Sequence, residues 1–318
     1  MEALILASLL PFLTAGTCCF PPPKKAPFAL DRPVTEADVT AVIGSAPDMQ
    51  RGELECRWIC REVYQREASW HALVDDCTMT IQPEPGATPD SVIGRVKCFG
   101  AAYSYACKGR RPLGHVEWTG EDDGLRGYFA RCAHLEAASV AAFVELAEWL
   151  TAVGGPRALA LRCVEAAEDE RRHAAAFAGL VRELGGVTAR VERRAGERAL
   201  LAVALHNAVE GCVYEAWAAV EAAWQATHAS DARVRGLLAV IAGEEARHAE
   251  LAWDLHAWLL GQLDERGREL VRARQAAALA GLPRVAAAQV CPPELGMPEA
   301  AIVEAIARRF ADGLAAAA

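Results

Sequence analysis

Two short stretches of this chain carry the same chemistry-bearing residues in the same order. Asp169-Glu170-Arg171-Arg172-His173 and Glu244-Glu245-Ala246-Arg247-His248 both read acid, Glu, any residue, Arg, His. A Glu and a His three positions apart sit on one helical face, on adjacent turns, and can direct a carboxylate oxygen and an imidazole nitrogen the same way. Each copy is half of a metal site. A single Glu-x-x-His recurs by chance on solvated helices. Here each copy is preceded by a lone Glu on an apolar face: Glu136 lies 34 positions before Glu170, and Glu210 lies 35 before Glu245. The candidate ligands are therefore Glu136, Glu170, His173, Glu210, Glu245 and His248.

Helical hairpins would bring these six to one level. From Glu136 the chain runs to a turn at Gly154-Gly155-Pro156 and returns to Glu170; from Glu210 it runs to His228-Ala229-Ser230-Asp231 and returns to Glu245. At about 1.5 Å per residue the outward and return legs nearly cancel. Four rows at helical period carry the ligands: Phe129, Cys132, Glu136, Val140, Phe143; Cys163, Ala166, Glu170, His173, Phe177, Leu180; Val203, His206, Glu210, Val213, Trp217, Val220; and Leu238, Ile241, Glu245, His248, Ala252, Leu255. In each the ligand interrupts an apolar stripe. Four ionised carboxylates facing one another in a bundle core would cost several kcal/mol each unless something positive sits among them. Two divalent cations balance four Glu, with imidazoles completing the shells.

The bulk properties narrow the classes. The chain has 318 residues, 53% hydrophobic and 24% charged, enough for a large helical domain and a smaller one. A net charge of −9 leaves no basic surplus for phosphates, which argues against nucleic-acid binding. The apolar run from Ala3 to Leu13 is too short to span a bilayer and is broken by Pro11. It is a poor signal peptide, with Met1-Glu2 before it and no positive charge. Localisation stays open: the cytoplasm is favoured, and export is compatible with this segment and the clustered cysteines.

Five of the eleven cysteines, Cys56, Cys60, Cys77, Cys98 and Cys107, precede the helical region. No Cys-x-x-Cys occurs, so one or two disulfides are expected rather than zinc, with connectivity undetermined. In the same region Thr35 and Asp38 read as a capped helix start, Glu53 to Arg66 as a helix, and 70–81 with 92–105 as a hairpin around Pro83-Glu84-Pro85-Gly86. The domain plan is a terminal segment and Pro-rich linker over 1–27, a small Cys-rich α+β region over 28–120, a four-helix bundle over 121–263, and C-terminal helices over 264–318. Residues 185–194 are either a local turn or an extended crossover. A helix from Asp264 to about Leu282 and a tail helix with Ile302, Ile306 and Phe310 complete the chain.

With these six ligands the chain resembles the ferritin-like di-iron carboxylate superfamily, in which two helices give one Glu each and two give Glu-x-x-His. Leu135-Glu136-Ala137-Ala138-Ser139-Val140-Ala141-Ala142-Phe143, Glu210-Gly211-Cys212-Val213, the Cys-rich segment and Gly109-Arg110-Arg111-Pro112 are similar to ferritin-like-domain proteins of myxobacteria. The resemblance covers roughly 124–263 and implies a mainly α, ferritin-like four-helix bundle with a small α+β cap and extra C-terminal helices. It implies the crossover at 185–194, and one iron mainly for Glu170 with His173 and one for Glu245 with His248. Cofactors would be two Fe ions, with Mn an option, and O₂ as co-substrate. The aryl-amine oxygenases of the superfamily carry an extra His where this chain has Ile241. Rubrerythrin-type peroxidases carry an extra Glu where it has Val213, and an iron-binding Cys module it lacks.

The function expected is a non-haem di-iron oxidase or oxygenase, with Tyr214, Trp217 and Phe177 as candidate pocket residues beside the metals and Gly211 and Gly243 opening space or a π-bulge. Its partners would be a small-molecule or peptide substrate and an external electron donor, with no nucleic acid and no transmembrane segment. The oligomeric state is open, a dimer among the options. A ferroxidase or iron-handling protein, and a metal-free helical interaction protein, are the alternatives.

Overall fold

The computed structural model describes residues 26–44, 56, 59–60, 63, 71–82, 86, 88–103, 110–112, 115, 124–188, 190–191, 199–289 and 291–317. The N-terminal apolar run, the Pro-rich linker and Cys107 lie outside them. The chain is mainly helical, with one small antiparallel sheet in a Cys-rich N-terminal region. It divides into two compact units: residues 23–105 with 195–203, and residues 106–194 with 204–318 as the described body of the other. No helix of the described residues is long and apolar enough to cross a membrane.

The smaller unit holds β1 (Ala26–Thr35), α1 (Glu36–Gly44), β2 (His71–Ile81) and β3 (Val92–Tyr103). The β2–β3 hairpin matches the alternation in the sequence, but β3 is central, in the order β1-β3-β2. Alternation does not announce β1, whose two prolines read as linker; it begins at Ala26, ahead of the 27/28 boundary drawn from composition. Thr35 and Asp38 form the expected capping box: the Thr35 backbone N–H donates to Asp38 Oδ2 at 2.7 Å and the Asp38 N–H to Thr35 Oγ1 at 3.3 Å. Of the Glu53–Arg66 helix, Cys56, Ile59, Cys60 and Val63 are described and are helical. Leu30, Val34, Val39, Ile59, Val63 and Val96 make one small core, pinned by the disulfides Cys56–Cys77 and Cys60–Cys98. A core of this size gives a modest hydrophobic return, which is where cross-links matter most.

The larger unit is built on four rods. The first is α2 (Gly124–Ala152), the second α3 (Arg157–Glu183). The third is α4 (Leu200–His206), a π-helical segment (Asn207–Glu215) and α5 (Ala216–His228) in continuity; the fourth is α6 (Ala232–Gln262). Asp231 caps α6 by accepting from the Arg233 and Val234 N–H groups. Glu183, at the end of α3, pairs with Arg233 at the start of α6, and Arg162 pairs with Asp254, so α3 and α6 are antiparallel. Gln225, near the end of α5, donates to the Tyr128 hydroxyl near the start of α2. The second and third rods therefore run the same way, and the link between them must return over the length of a rod. That selects the crossover over the local turn.

The inward stripes are buried much as their spacing predicts. Phe129, Phe143, Phe177, Leu238, Ile241 and Leu255 lose nearly all exposure, each stabilising by about 1.5–3 kcal/mol relative to an exposed side chain.

Two further helices, α7 (Glu265–Ala288) and α8 (Ala300–Ala317), cover the outer face of the third rod, with Leu279, Leu282, Ile306 and Phe310 against Trp217, Val220 and Trp224. They share the compact unit of the four rods, so residue 263 is not a unit boundary. α7 passes its expected end at Leu282 and continues through Pro283; burial of Leu282, Val285 and Ala286 offsets the cost of about 3 kcal/mol for an interior proline. Gly296 closes the link to α8 at φ +65°, and its carbonyl accepts from Trp224 Nε1 at 2.8 Å. A Cβ there would lie 2.2 Å from the His228 carbonyl oxygen. Gly296→Ala is expected to cost about 2 kcal/mol or more, read as a lowered urea midpoint. An unchanged midpoint would mean that the link is not under this constraint.

Candidate metal centre

The four rods bring six side chains to one buried volume. Glu136 comes from α2, Glu170 and His173 from α3, Glu215 from the end of the π segment, and Glu245 and His248 from α6; each is at most 2% exposed. Their ligand atoms form two groups, each with all atoms within 4.8 Å of one another: Glu136, Glu170, His173 and Glu245; and Glu170, Glu215, Glu245 and His248. Glu170 and Glu245 belong to both. His173 Nδ1 is 3.5 Å from Glu170, 3.6 Å from Glu245 and 3.8 Å from Glu136; His248 Nδ1 is 3.1 Å from Glu170 and 3.8 Å from Glu245.

Five of the six residues expected from the sequence meet here, and Glu210 does not. It is half-buried and held by Arg111, whose Nε donates to Oε2 at 2.9 Å and Nη2 to Oε1 at 3.0 Å. Glu215 takes its place. The extra residue in each turn of the π segment shifts everything after it around the helix axis, so the α-period row through Val203, His206 and Glu210 no longer faces inward. Hairpin symmetry is the signal that could have found it: the midpoint of 215 and 245 is Ser230, in the turn, whereas that of 210 and 245 falls inside α5.

The pocket residues proposed from sequence are packing residues. Phe177 lies against Phe129 with ring centroids 5.9 Å apart and Trp217 against Phe310 at 5.7 Å, while Arg111 lies over the Tyr214 ring at 6.0 Å. Gly211 lies in the π segment, and a Cβ on Gly243 would meet nothing within 4 Å.

The acid that precedes each Glu serves the other copy of the motif. His173 Nε2 is 2.6 Å from Glu244, and His248 Nε2 is 3.2 Å from Asp169. Arg172 bridges the same two acids, and Arg247 lies within 4 Å of both. Burial opposes charge on Asp169 and Glu244, but the His and Arg donors outweigh it and hold both carboxyls below the usual range. Each acid takes an Nε2–H, which turns the Nδ1 lone pair inward.

Inside that ring, all eight carboxylate oxygens of Glu136, Glu170, Glu215 and Glu245, and both Nδ1 atoms, make no hydrogen bond among the described residues. Burial pushes the Glu136 and Glu215 carboxyls up to about 8. Burial works against charge on His173 too, but Glu136 and Glu170 outweigh it and raise that imidazole to about 11. The cluster holds protons at neutral pH unless cations replace them.

Comparison with known protein-family models, curated proteins and solved structures finds no match to this chain. What the centre can do rests on its own donor set. Four carboxylates and two imidazoles, all buried and unbonded, fit two hard or borderline divalent cations with two shared carboxylates. A solvated acidic patch would leave these oxygens to water, and a structural polar core would bond them to donors.

Proposed function

We propose that this chain is a ferritin-like di-iron carboxylate protein that uses O₂ to oxidise an organic substrate. What carries the reading is the pair of overlapping ligand groups that share Glu170 and Glu245. Carboxylate-rich shells with imidazole suit iron, with manganese the next candidate. Two irons held there would supply the electrons that reduce O₂. Glu136 with His173 would complete one shell and Glu215 with His248 the other. Asp169 and Glu244 fix the imidazole tautomers, and Phe143, with its ring 5.2 Å from that of His248, helps to keep water from the centre. The up-down-down-up course of the rods and the long crossover also support a ferritin-like bundle. Counted from Glu215 rather than Glu210, the place of the peroxidases' additional Glu holds Ala218 in place of Val213, so the peroxidase branch gains nothing from the shift.

Protein produced in iron-rich medium is expected to carry about two irons per chain. After anaerobic reduction and mixing with O₂, a transient visible absorbance is expected, with decay accelerated by the substrate class that fits. Steady O₂ uptake driven by Fe(II), unchanged by every organic compound tried, would move the function to iron oxidation. Well under one equivalent of metal would leave a metal-free helical protein and remove both readings.

A further inference from the structure

The two halves of the centre have unequal surroundings. Beside Glu136 the ion-pair partner among the described residues is His173. Beside Glu215 is Arg110, itself 2% exposed, with Nη1 3.7 Å from Glu215 Oε2. The guanidinium has a built seat. Nη2 donates to Asn207 Oδ1 at 2.8 Å, the guanidinium carbon lies 5.7 Å from the Phe143 ring centroid, and Ser139 Oγ donates to the Arg110 carbonyl at 2.9 Å. Asn207 is fixed in turn by donating from Nδ2 to the Ala252 carbonyl at 2.9 Å. Gly211 leaves the room: a Cβ there would come 2.7 Å from Arg110 Nη1 and 2.7 Å from Ala252 Cβ. Asn207, Gly211 and Glu215 all belong to the π segment, so the distortion that brings Glu215 inward also seats a guanidinium behind it. Nη1 makes no hydrogen bond among the described residues, and the carboxylate within ion-pair reach is that of Glu215.

We propose, on the two-metal reading above, that Arg110 makes the two positions unequal: the one served by Glu215 and His248 binds a divalent cation more weakly than the one served by Glu136 and His173. Two effects act in the same direction. The guanidinium competes for the Glu215 oxygen, and its charge repels a cation placed beyond that carboxylate in a dry interior. Unit charges 4 Å apart interact by about 4 kcal/mol at an effective dielectric of 20, so a gap of about tenfold or more in affinity is within reach even with Glu215 between them. Arg110 is a positioning and charge-setting residue here and does not itself ligate.

Mn(II) titrated into the metal-stripped full chain tests this. Equilibrium dialysis should give two binding constants separated by about tenfold or more. Electron paramagnetic resonance should show isolated Mn(II) up to one equivalent and spin-coupled pairs beyond it. Glu215→Ala should keep the tight step and Glu136→Ala should lose it. Arg110→Met should draw the two constants together by about tenfold, and Arg110→Lys should keep them apart. Filling of both positions in one step by the unaltered chain, loss of the tight step in Glu215→Ala, or an Arg110→Met gap that is unchanged or wider would overturn the proposal. The first two of these do not depend on how Arg110→Met folds. One-step filling by two ions removes this inference alone, whereas no binding of Mn(II), Fe(II) or Zn(II) removes the two-metal reading with it.

Discussion

Glu170→Ala and Glu245→Ala are each expected to lose both metal ions, Glu136→Ala and Glu215→Ala one each, and Glu210→Ala neither. The ranking follows from membership of the two ligand groups: Glu170 and Glu245 belong to both, Glu136 and Glu215 to one, and Glu210 to none. Losing a shared carboxylate removes an anionic donor from each position and brings the two cations together with less charge between them. Elemental analysis of protein from iron-rich medium, with helicity checked for each variant, reads this directly. Glu210 and Glu215 make the decisive pair, because α-helical spacing and the folded geometry disagree about them. Two metals in Glu215→Ala and one in Glu210→Ala would restore the row read from the sequence and discard the π-helical placement.

Glu136→Leu should change the sign of its effect on stability with metal content. Glu136 is fully buried, and neither carboxylate oxygen makes a hydrogen bond among the described residues. In chelator-stripped protein, replacing such a group by an apolar side chain of similar size removes a desolvation cost and should stabilise by about 1–4 kcal/mol. In metal-replete protein the same change removes a ligand. A cation held at a thousand times its dissociation constant stabilises by about 4 kcal/mol, so the variant should then be less stable than the unaltered chain. Urea unfolding with and without chelator measures both arms. Destabilisation in both would mean that Glu136 has a protein partner in the fold, and the centre would lose its main energetic argument.

The two copies of acid-Glu-x-Arg-His, their spacing from Glu136, and the apolar rows around them were legible in the chain because a helix of fixed period turns spacing into direction. On that basis Glu136, Glu170, His173, Glu245 and His248 converge from sequence alone, as do the capping box at Thr35 and Asp38 and the β2–β3 hairpin. Glu210 failed because the rule that placed it assumes an unbroken α-helix, and the π segment at Asn207–Glu215 breaks that period. A local sequence shows that Gly211 permits a distortion. Whether one occurs depends on what packs behind it, here Arg110 and Ala252, which are distant in the chain. β1 escaped notice for a similar reason, since its pairing partner β3 lies more than sixty residues away.

The roles of Asp169 and Glu244 were also beyond the sequence, although both stood in the motif. Their partners are the imidazoles of the opposite copy, and only the antiparallel packing of α3 on α6 makes that exchange. The sequence by itself determined which helical faces carry acids and imidazoles, because that depends on neighbours three and four positions away. The tertiary structure decided which acids face the shared volume and which are taken up by arginines, because that depends on register between rods, where one inserted residue redirects a side chain.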